Sequence, residues 1–203
     1  CQDVILILDP TGNASVTTAQ VDNGSSDACG LQSLSVTPSS FDCDVAGTNN
    51  VTLTATDVNS NFQTCTADVL VQDTVPPTIV CQDFTLQLDA TGNGTVLTSD
   101  VDNGSFDSCG INTSSVTPAA FTCATIGPNT VTFQIADTYG NSDDCTATVT
   151  VSDTVGPNAV CQPLTVQLDA TGNVSITTDD VDNGSTDACG IDTMILDTPF
   201  LDC

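Results

Sequence analysis

Residues 51–56 read Val-Thr-Leu-Thr-Ala-Thr, and residues 146–151 read Thr-Ala-Thr-Val-Thr-Val. Apolar and hydroxyl side chains alternate in both stretches, which is the pattern of a β-strand that buries one face and exposes the other. Thr and Val, which favour strands, are abundant throughout the chain, whereas residues that favour helices are scarce. The sequence therefore predicts an all-β fold.

The sequence repeats with a period of 80 residues. The loop VDNGSSDACG at residues 21–30 recurs as VDNGSFDSCG at residues 101–110 and as VDNGSTDACG at residues 181–190. The predicted domains are residues 1–73, residues 74–153 and residues 154–203. The third copy lacks the last two strands of the other copies, so we interpret the chain as a window on a longer array.

Each repeat is predicted to contain six or seven short strands separated by turns. In the first copy the predicted strands are residues 3–8, 14–18, 31–36, 41–45, 51–57 and 62–72. Short strands with turn signals at this spacing are typical of an immunoglobulin-like β-sandwich. Pro76, Pro77 and Pro157 lie in the joints between copies and are expected to stiffen them, which predicts a rod-like array.

The charge of the chain excludes several functions. There is no Lys, Arg or His, and the 26 acidic residues are all Asp, so the net charge is −26. Binding to nucleic acid or attraction to an anionic membrane needs basic side chains, and direct membrane insertion needs a long apolar run that is absent. An enzyme is also disfavoured, since the chain offers no His or Lys as a base and no Arg for an oxyanion.

The 11 cysteines recur at fixed positions of the repeat and indicate disulfide bonds formed in an oxidising compartment. If the chain enters each domain at one end and leaves at the other, the first Cys and the Cys of the final strand lie near the same end. The predicted bridges are Cys1–Cys65, Cys29–Cys43, Cys81–Cys145, Cys109–Cys123 and Cys189–Cys203, and Cys161 has no predicted partner. A zinc site is disfavoured because the chain has no Cys-x-x-Cys and no His.

The most suggestive binding motif is Asp-Asn-Gly-Ser-x-Asp, which begins at Asp22, Asp102 and Asp182. A calcium-binding loop requires several side-chain oxygens and a Gly that permits a tight turn. The alternative is a Gly-containing turn held by hydrogen bonds of its own Asp and Asn side chains, which this motif often forms. The motif alone leaves both interpretations open.

The predicted order of strands brings further carboxylates to the same end of each domain, where the linker from the preceding copy arrives. One junction gathers Asp73, Asp102, Asn103, Asp107 and Asp137, the next gathers Asp153, Asp182, Asn183 and Asp187, and the first copy carries the corresponding Asp22, Asn23, Asp27 and Asp57. Carboxylates crowded in this way need a cation, or some of them must take up protons. We therefore predict calcium at the junctions.

The joint DTVPPTIVC at residues 73–81, the Asp-Asn pair of the acidic loop and the CTAxV pattern within residues 64–69 and 144–149 resemble hyalin repeats. The likeness is greatest to Cys-containing repeats in giant surface adhesins of Bacteroidota, including those used in gliding motility. The resemblance implies an immunoglobulin-like fold, display at a cell surface and an adhesive role, with calcium-dependent assembly in hyalin-type proteins. It also implies candidate O-glycosylation at Thr74 and Thr154.

These observations together predict an extracellular structural or adhesive repeat protein that forms a stiff acidic rod on the cell surface. The alternative is a subunit of a self-assembling extracellular filament, in which calcium would bridge chains that otherwise repel one another. The expected partners are other copies of the same repeat, within the chain or between chains, and a surface or matrix target that the sequence does not identify.

Overall fold

A computed structural model describes residues 1–202. The strands of the first copy are β1 (Val4–Ile7), β2 (Asn13–Ser15), β3 (Leu31–Thr37), β4 (Ser40–Asp42), β5 (Gly47–Asp57) and β6 (Phe62–Gln72). Those of the second copy are β7 (Phe84–Gln87), β8 (Asn93–Thr95), β9 (Ile111–Thr117), β10 (Ala120–Thr122), β11 (Gly127–Asp137) and β12 (Ser142–Ser152). The described part of the third copy contains β13 (Asn173–Ser175) and β14 (Phe200–Asp202).

Three short helices and two 3-10 turns complete the described elements. The helices are α1 (Thr18–Val21), α2 (Thr98–Val101) and α3 (Thr178–Val181), and the 3-10 turns are Cys43–Val45 and Cys123–Thr125. Four residues are too few to show a helical period, so the sequence predicts no helix here, and residue 18 falls in the strand predicted over residues 14–18. Within residues 1–202, no helix has the length and apolar character needed to cross a membrane.

The strands of the first copy form the predicted sandwich. β1, β6, β5 and β3 lie in that order in one sheet, with β1 parallel to β6, and β2 pairs with β4 in a second sheet. Val51 and Leu53 of β5, Val69 of β6 and Phe41 of β4 share one buried core. Because both sheets contribute to this core, the structure confirms the all-β sandwich fold.

The same strand order recurs along residues 84–152, where β7, β12, β11 and β9 form a sheet and β8 pairs with β10. Backbone proximity divides the chain into two compact units. The first unit is Cys1–Cys81, Asp102–Ser115 and Phe133–Cys145, and the second is Gln82–Val101, Val116–Thr132 and Thr146–Cys203. Each unit thus contains segments from more than one copy of the repeat.

The segment LDPTGN joins β1 to β2 through a hydrogen-bonded turn. The Asp9 Oδ1 atom accepts from the Thr11 N–H at 2.8 Å, the Thr11 hydroxyl at 2.6 Å and the Asn13 N–H at 3.1 Å. Gly12 in this turn is buried and has a φ of 75°. A Cβ atom there would lie 2.7 Å from the Sγ of Cys43 and 3.3 Å from the Cβ of Ser108. Glycine therefore satisfies both the backbone conformation and the close approach of the two neighbouring segments.

We expect Gly12→Ala to destabilise the protein more than Gly24→Ala. Gly24 also has a positive φ, of 90°, but a Cβ atom added there would meet no other atom within 4 Å. Backbone strain of about 1 kcal/mol is common to both variants, whereas Gly12→Ala adds crowding of about 1–3 kcal/mol against Cys43. Urea unfolding measures the difference, and equal losses in the two variants would contradict the close packing at Gly12.

Candidate metal centre

Four disulfide bonds are present in the described residues. They are Cys1–Cys65, Cys43–Cys109, Cys81–Cys145 and Cys123–Cys189. The structure contains two of the predicted bridges, those that join the first Cys of a copy to the Cys of its final strand. Cys29 and Cys161 are exposed free thiols, and Cys203 lies outside the described residues.

The predicted bridges Cys29–Cys43, Cys109–Cys123 and Cys189–Cys203 are wrong, because Cys43, Cys109, Cys123 and Cys189 form other bonds. The error was to assume that each copy closes its own bridges. The seven residues of β3 carry the chain about 23 Å away from Cys29, and the three residues of β4 are too few to bring it back. The bridges instead join the 3-10 turn of one copy to the acidic loop of the next.

Asp73 and Asp107 form the first candidate metal group, together with the Sγ of Cys109. One ligand atom from each of the three lies within 4.8 Å of the others, and all three residues belong to the first compact unit. Asp73 is only 8% exposed, and its Oδ2 atom is buried without a hydrogen bond from any described residue. At this separation two ionised carboxylates repel one another by about 3 kcal/mol. At Asp73 Oδ2, therefore, no hydrogen-bond donor of the described residues compensates the negative charge of the group.

Hydrogen bonds on both sides of Asp107 hold its loop in place. The backbone groups of Thr78 and Phe106 bond to each other at 2.8 and 2.9 Å, which attaches the loop to the linker between the copies. On the other side, the Cys109 N–H donates to Asp107 Oδ1 at 2.7 Å and the Ser108 hydroxyl donates to the Pro10 carbonyl at 2.8 Å. The loop thus presents Asp107 to Asp73 from a fixed backbone.

Asp137, a predicted ligand, is 1% exposed and lies beside the group rather than in it. Its Oδ1 accepts from the backbone N–H groups of Tyr139 and Asn141, and its Oδ2 accepts from Asn141 Nδ2 at 2.7 Å. Asn141 Nδ2 also donates to the Asp73 carbonyl at 3.3 Å, so it connects the two aspartates. Sequence reasoning missed Asn141, although the pattern Asp-x-x-x-Asn also occurs at Asp57 and Asn61.

The first half of each acidic motif forms a turn. Asp102 Oδ1 accepts from the Ser105 N–H at 2.9 Å, and Asp182 Oδ1 accepts from the Ser185 N–H at 3.0 Å. The neighbouring Asn103 and Asn183 are exposed, and their backbone N–H groups donate to the carbonyls of Val80 and Val160. Asp102 and Asp182 belong to neither of the two acidic groups in the described residues. The first Asp of the motif thus accepts a hydrogen bond within a turn, whereas the last Asp joins the cluster.

A second group repeats the arrangement within the second compact unit. Asp153, Asp187 and Cys189 each place one ligand atom within 4.8 Å of the others, and all three residues are half-buried. The Cys189 N–H donates to Asp187 Oδ1 at 2.8 Å, as in the first group. In the first copy, Asp22, Asp27 and Asp57 belong to no such group among residues 1–202, and Asn23 is exposed.

The donor atoms of both groups fit a hard divalent cation. Carboxylate oxygens are the ligands that calcium prefers, and backbone carbonyls and water commonly complete its shell of six to eight oxygens. The sulfur of each group is bonded to another sulfur, so it offers no thiolate for zinc. Asp73 and Asp107, and likewise Asp153 and Asp187, are therefore the side chains that would hold the cation.

The described chain is thus a disulfide-bonded β-sandwich repeat with paired carboxylates beside bridges that link successive copies. Its four disulfide bonds fit an extracellular location. Residues 72–151 match the sequence model of the HYR domain, so the chain contains an HYR-like domain.

Hyalin from Strongylocentrotus purpuratus is 31% identical to the chain in an alignment of 159 residues, which covers 74% of the chain and 13% of hyalin. The chain therefore spans a small part of the length of this relative. Among solved structures, a protocadherin gamma B7 fragment with extracellular cadherin domains 1–4 has a TM-score of 0.35 at 14% identity, covering 86% of this chain and 55% of that one. The extracellular domain of protocadherin gamma B4 has a TM-score of 0.35 at 18% identity, covering 80% and 33%.

Outside the candidate groups, the aspartates of the LDxTGN turns are stabilised as anions. The pKa values of Asp9, Asp89 and Asp169 lie below the ordinary 3.8, first because a Thr hydroxyl donates to each and next because the backbone N–H of the following Asn does. Since the native pKa is depressed, each carboxylate contributes stability above about pH 3.8. That contribution is lost as the pH falls through the lower native pKa.

We expect Thr91→Val to raise the pKa of Asp89 towards 3.8, because the variant removes the hydroxyl that donates to Asp89 Oδ1 at 2.7 Å. The backbone donors of Thr91 and Asn93 remain, so the turn is retained. Carbon-13 NMR titration of the carboxyl groups measures the shift, and Asp9 in the same molecule serves as the unchanged control. If the pKa of Asp89 is the same in the variant as in the native protein, the Thr91 hydroxyl is not the main cause of the lowered pKa.

Proposed function

We propose that the chain is part of an extracellular adhesive or structural repeat protein in which calcium rigidifies successive repeats. The observation that carries this proposal is the buried Oδ2 of Asp73, which has no hydrogen-bond donor in the described residues although Asp107 lies within 4.8 Å. A chain without Lys, Arg or His has no side-chain cation to offer this pair. A bound divalent cation supplies the missing positive charge.

The position of the paired carboxylates supports a role in rigidity. Asp73 belongs to the linker that follows β6, whereas Asp107 belongs to the acidic loop of the next copy. A cation held by both would therefore tie the linker to that loop. Pro77 in the same linker is buried, which further restricts the segment. The proposed array is a stiff rod whose joints respond to calcium.

The partners and the location are part of the same proposal. Other copies of the repeat are the proposed neighbours, and the adhesive target is a surface or matrix component. The resemblance to repeats of Bacteroidota surface adhesins supports display at a cell surface. Thr74 and Thr154 are exposed in the linkers and are the proposed positions for O-linked glycans.

We expect calcium to raise the thermal unfolding temperature of the native chain, and Asp107→Asn to reduce that rise. A single site gains about 2.7 kcal/mol when calcium is at 100 times its dissociation constant. Asp107→Asn removes one carboxylate of the first group, and a double variant with Asp187→Asn removes one from each group. Differential scanning calorimetry with and without a chelator gives the measurement.

Asp27→Asn is the matched control, because Asp27 holds the same motif position in the first copy but is exposed and belongs to no acidic group among residues 1–202. It should respond to calcium as the native chain does. Sodium chloride at equal ionic strength controls for general screening of the net charge of −26. A double variant that responds like the native chain would contradict the proposed sites. A sedimentation coefficient that increases with calcium would favour the filament alternative.

A further inference from the structure

We infer that the bridges Cys43–Cys109 and Cys123–Cys189 are positioning elements of the cation sites, so that affinity for the cation depends on the oxidation state of these bridges. This inference rests on the proposed function and adds a redox control to the same two sites. It concerns residues that sequence reasoning assigned to other disulfide pairs. The inference follows from where the bridges lie, and from what holds the acidic loops without them.

Each bridge is part of the group that it would position. Cys109 follows Asp107 by two residues, its backbone N–H donates to Asp107 Oδ1, and its Sγ lies within 4.8 Å of an oxygen of Asp73 and of Asp107. Cys43, the other half of the bridge, lies in a 3-10 turn, and its own backbone carbonyl accepts a hydrogen bond from the Tyr139 hydroxyl at 2.7 Å. The bridge thus fixes the backbone beside Asp107 to a second anchored segment.

Beyond the last Asp of the motif, the other tethers of the acidic loop differ between the two sites. Ser108 anchors the first loop by donating to the Pro10 carbonyl, but Ala188 occupies the equivalent position in the second loop and has no hydroxyl. Backbone bonds between Asn158 and Thr186 hold the second loop before Asp187, as those of Thr78 and Phe106 hold the first. After the last Asp of the motif, the disulfide bond is the tether that both loops share.

In the first copy, the local turn of the acidic loop forms without a bridge. Asp27 Oδ1 accepts from the Cys29 N–H at 2.7 Å, which is the same bond that Asp107 and Asp187 make. Cys29 is a free thiol, and Asp27 is exposed and outside any acidic group in residues 1–202. The hydrogen bond within the loop therefore forms without the bridge, so we assign to the bridge the placement of the loop against the linker rather than the local turn.

Thermodynamic linkage makes the coupling reciprocal: if the bridge raises the affinity for calcium, calcium protects the bridge from reduction by the same factor. Reduction by a dithiol transfers two electrons and two protons to the disulfide, which yields two Cys thiols and the cyclic disulfide of the reagent. Cys1–Cys65 and Cys81–Cys145 belong to neither acidic group. They are the internal controls in the same molecule.

The test uses the native chain in a series of dithiol buffers, with calcium or with a chelator, followed by alkylation and mass spectrometry of each bridge. We expect calcium to raise the dithiol-to-disulfide ratio for half-reduction at least tenfold for Cys43–Cys109 and Cys123–Cys189, and to leave Cys1–Cys65 unchanged. In Asp107→Asn the protection of Cys43–Cys109 should disappear while that of Cys123–Cys189 remains. Equal protection of all four bridges, or of none while calcium binds, would overturn the inference.

Calcium titration of the paired variant C43S/C109S tests the other direction of the coupling. We expect it to bind one calcium fewer, or the first calcium at least tenfold more weakly, and C123S/C189S to affect the second site in the same way. The variant C1S/C65S removes a bridge of similar span, 64 rather than 66 residues, and should keep both sites. Unchanged binding in C43S/C109S would overturn this inference alone, whereas absence of calcium binding by the native chain would overturn the proposed function as well. If a variant does not fold, the reduction of the native chain still decides.

Discussion

The structure depends on the absence of any side-chain positive charge. Each of the 26 aspartates must be neutralised by solvent, by hydrogen-bond donors or by a cation. Short turns stabilise the exposed Asp9 and the half-buried Asp57, because backbone N–H groups and a hydroxyl or amide side chain donate to each carboxylate. Asp137 is buried and is satisfied in the same way. Asp73 is the exception, since one of its oxygens is buried without a donor in the described residues.

Disulfide bonds make it possible to keep such like charges together. Two carboxylates within 4.8 Å repel by about 3 kcal/mol. Closing a loop of 66 residues by a bridge contributes about 4 kcal/mol on the chain-entropy model. The two magnitudes are comparable, so the bridge between copies can offset the repulsion of the carboxylates beside it. This explains physically why the sulfur and the two oxygens occur together at both sites.

The strands were predictable because alternation of Val and Thr reports burial directly: β6 has the predicted bounds of residues 62–72. The helix α1 was not, since its one buried residue, Val21, gives no period. The pairing of Asp73 with Asp107 followed from strand order alone. The bond between Cys43 and Cys109 did not follow from the sequence, because spacing within one repeat cannot tell whether a Cys faces its own copy or the next. Asn141 was missed for the same reason, as its contact with Asp73 joins distant parts of the sequence.

The burial of Asp73 determines how strongly the first site needs a cation. Asp73 is nine-tenths buried, and Asn141 and Asp137 lie against its linker. Attraction between a cation and a carboxylate grows as water is excluded, and so does the cost of leaving the carboxylate bare. We therefore expect the rigidity of the linker after β6 to be the property that depends most on a bound cation.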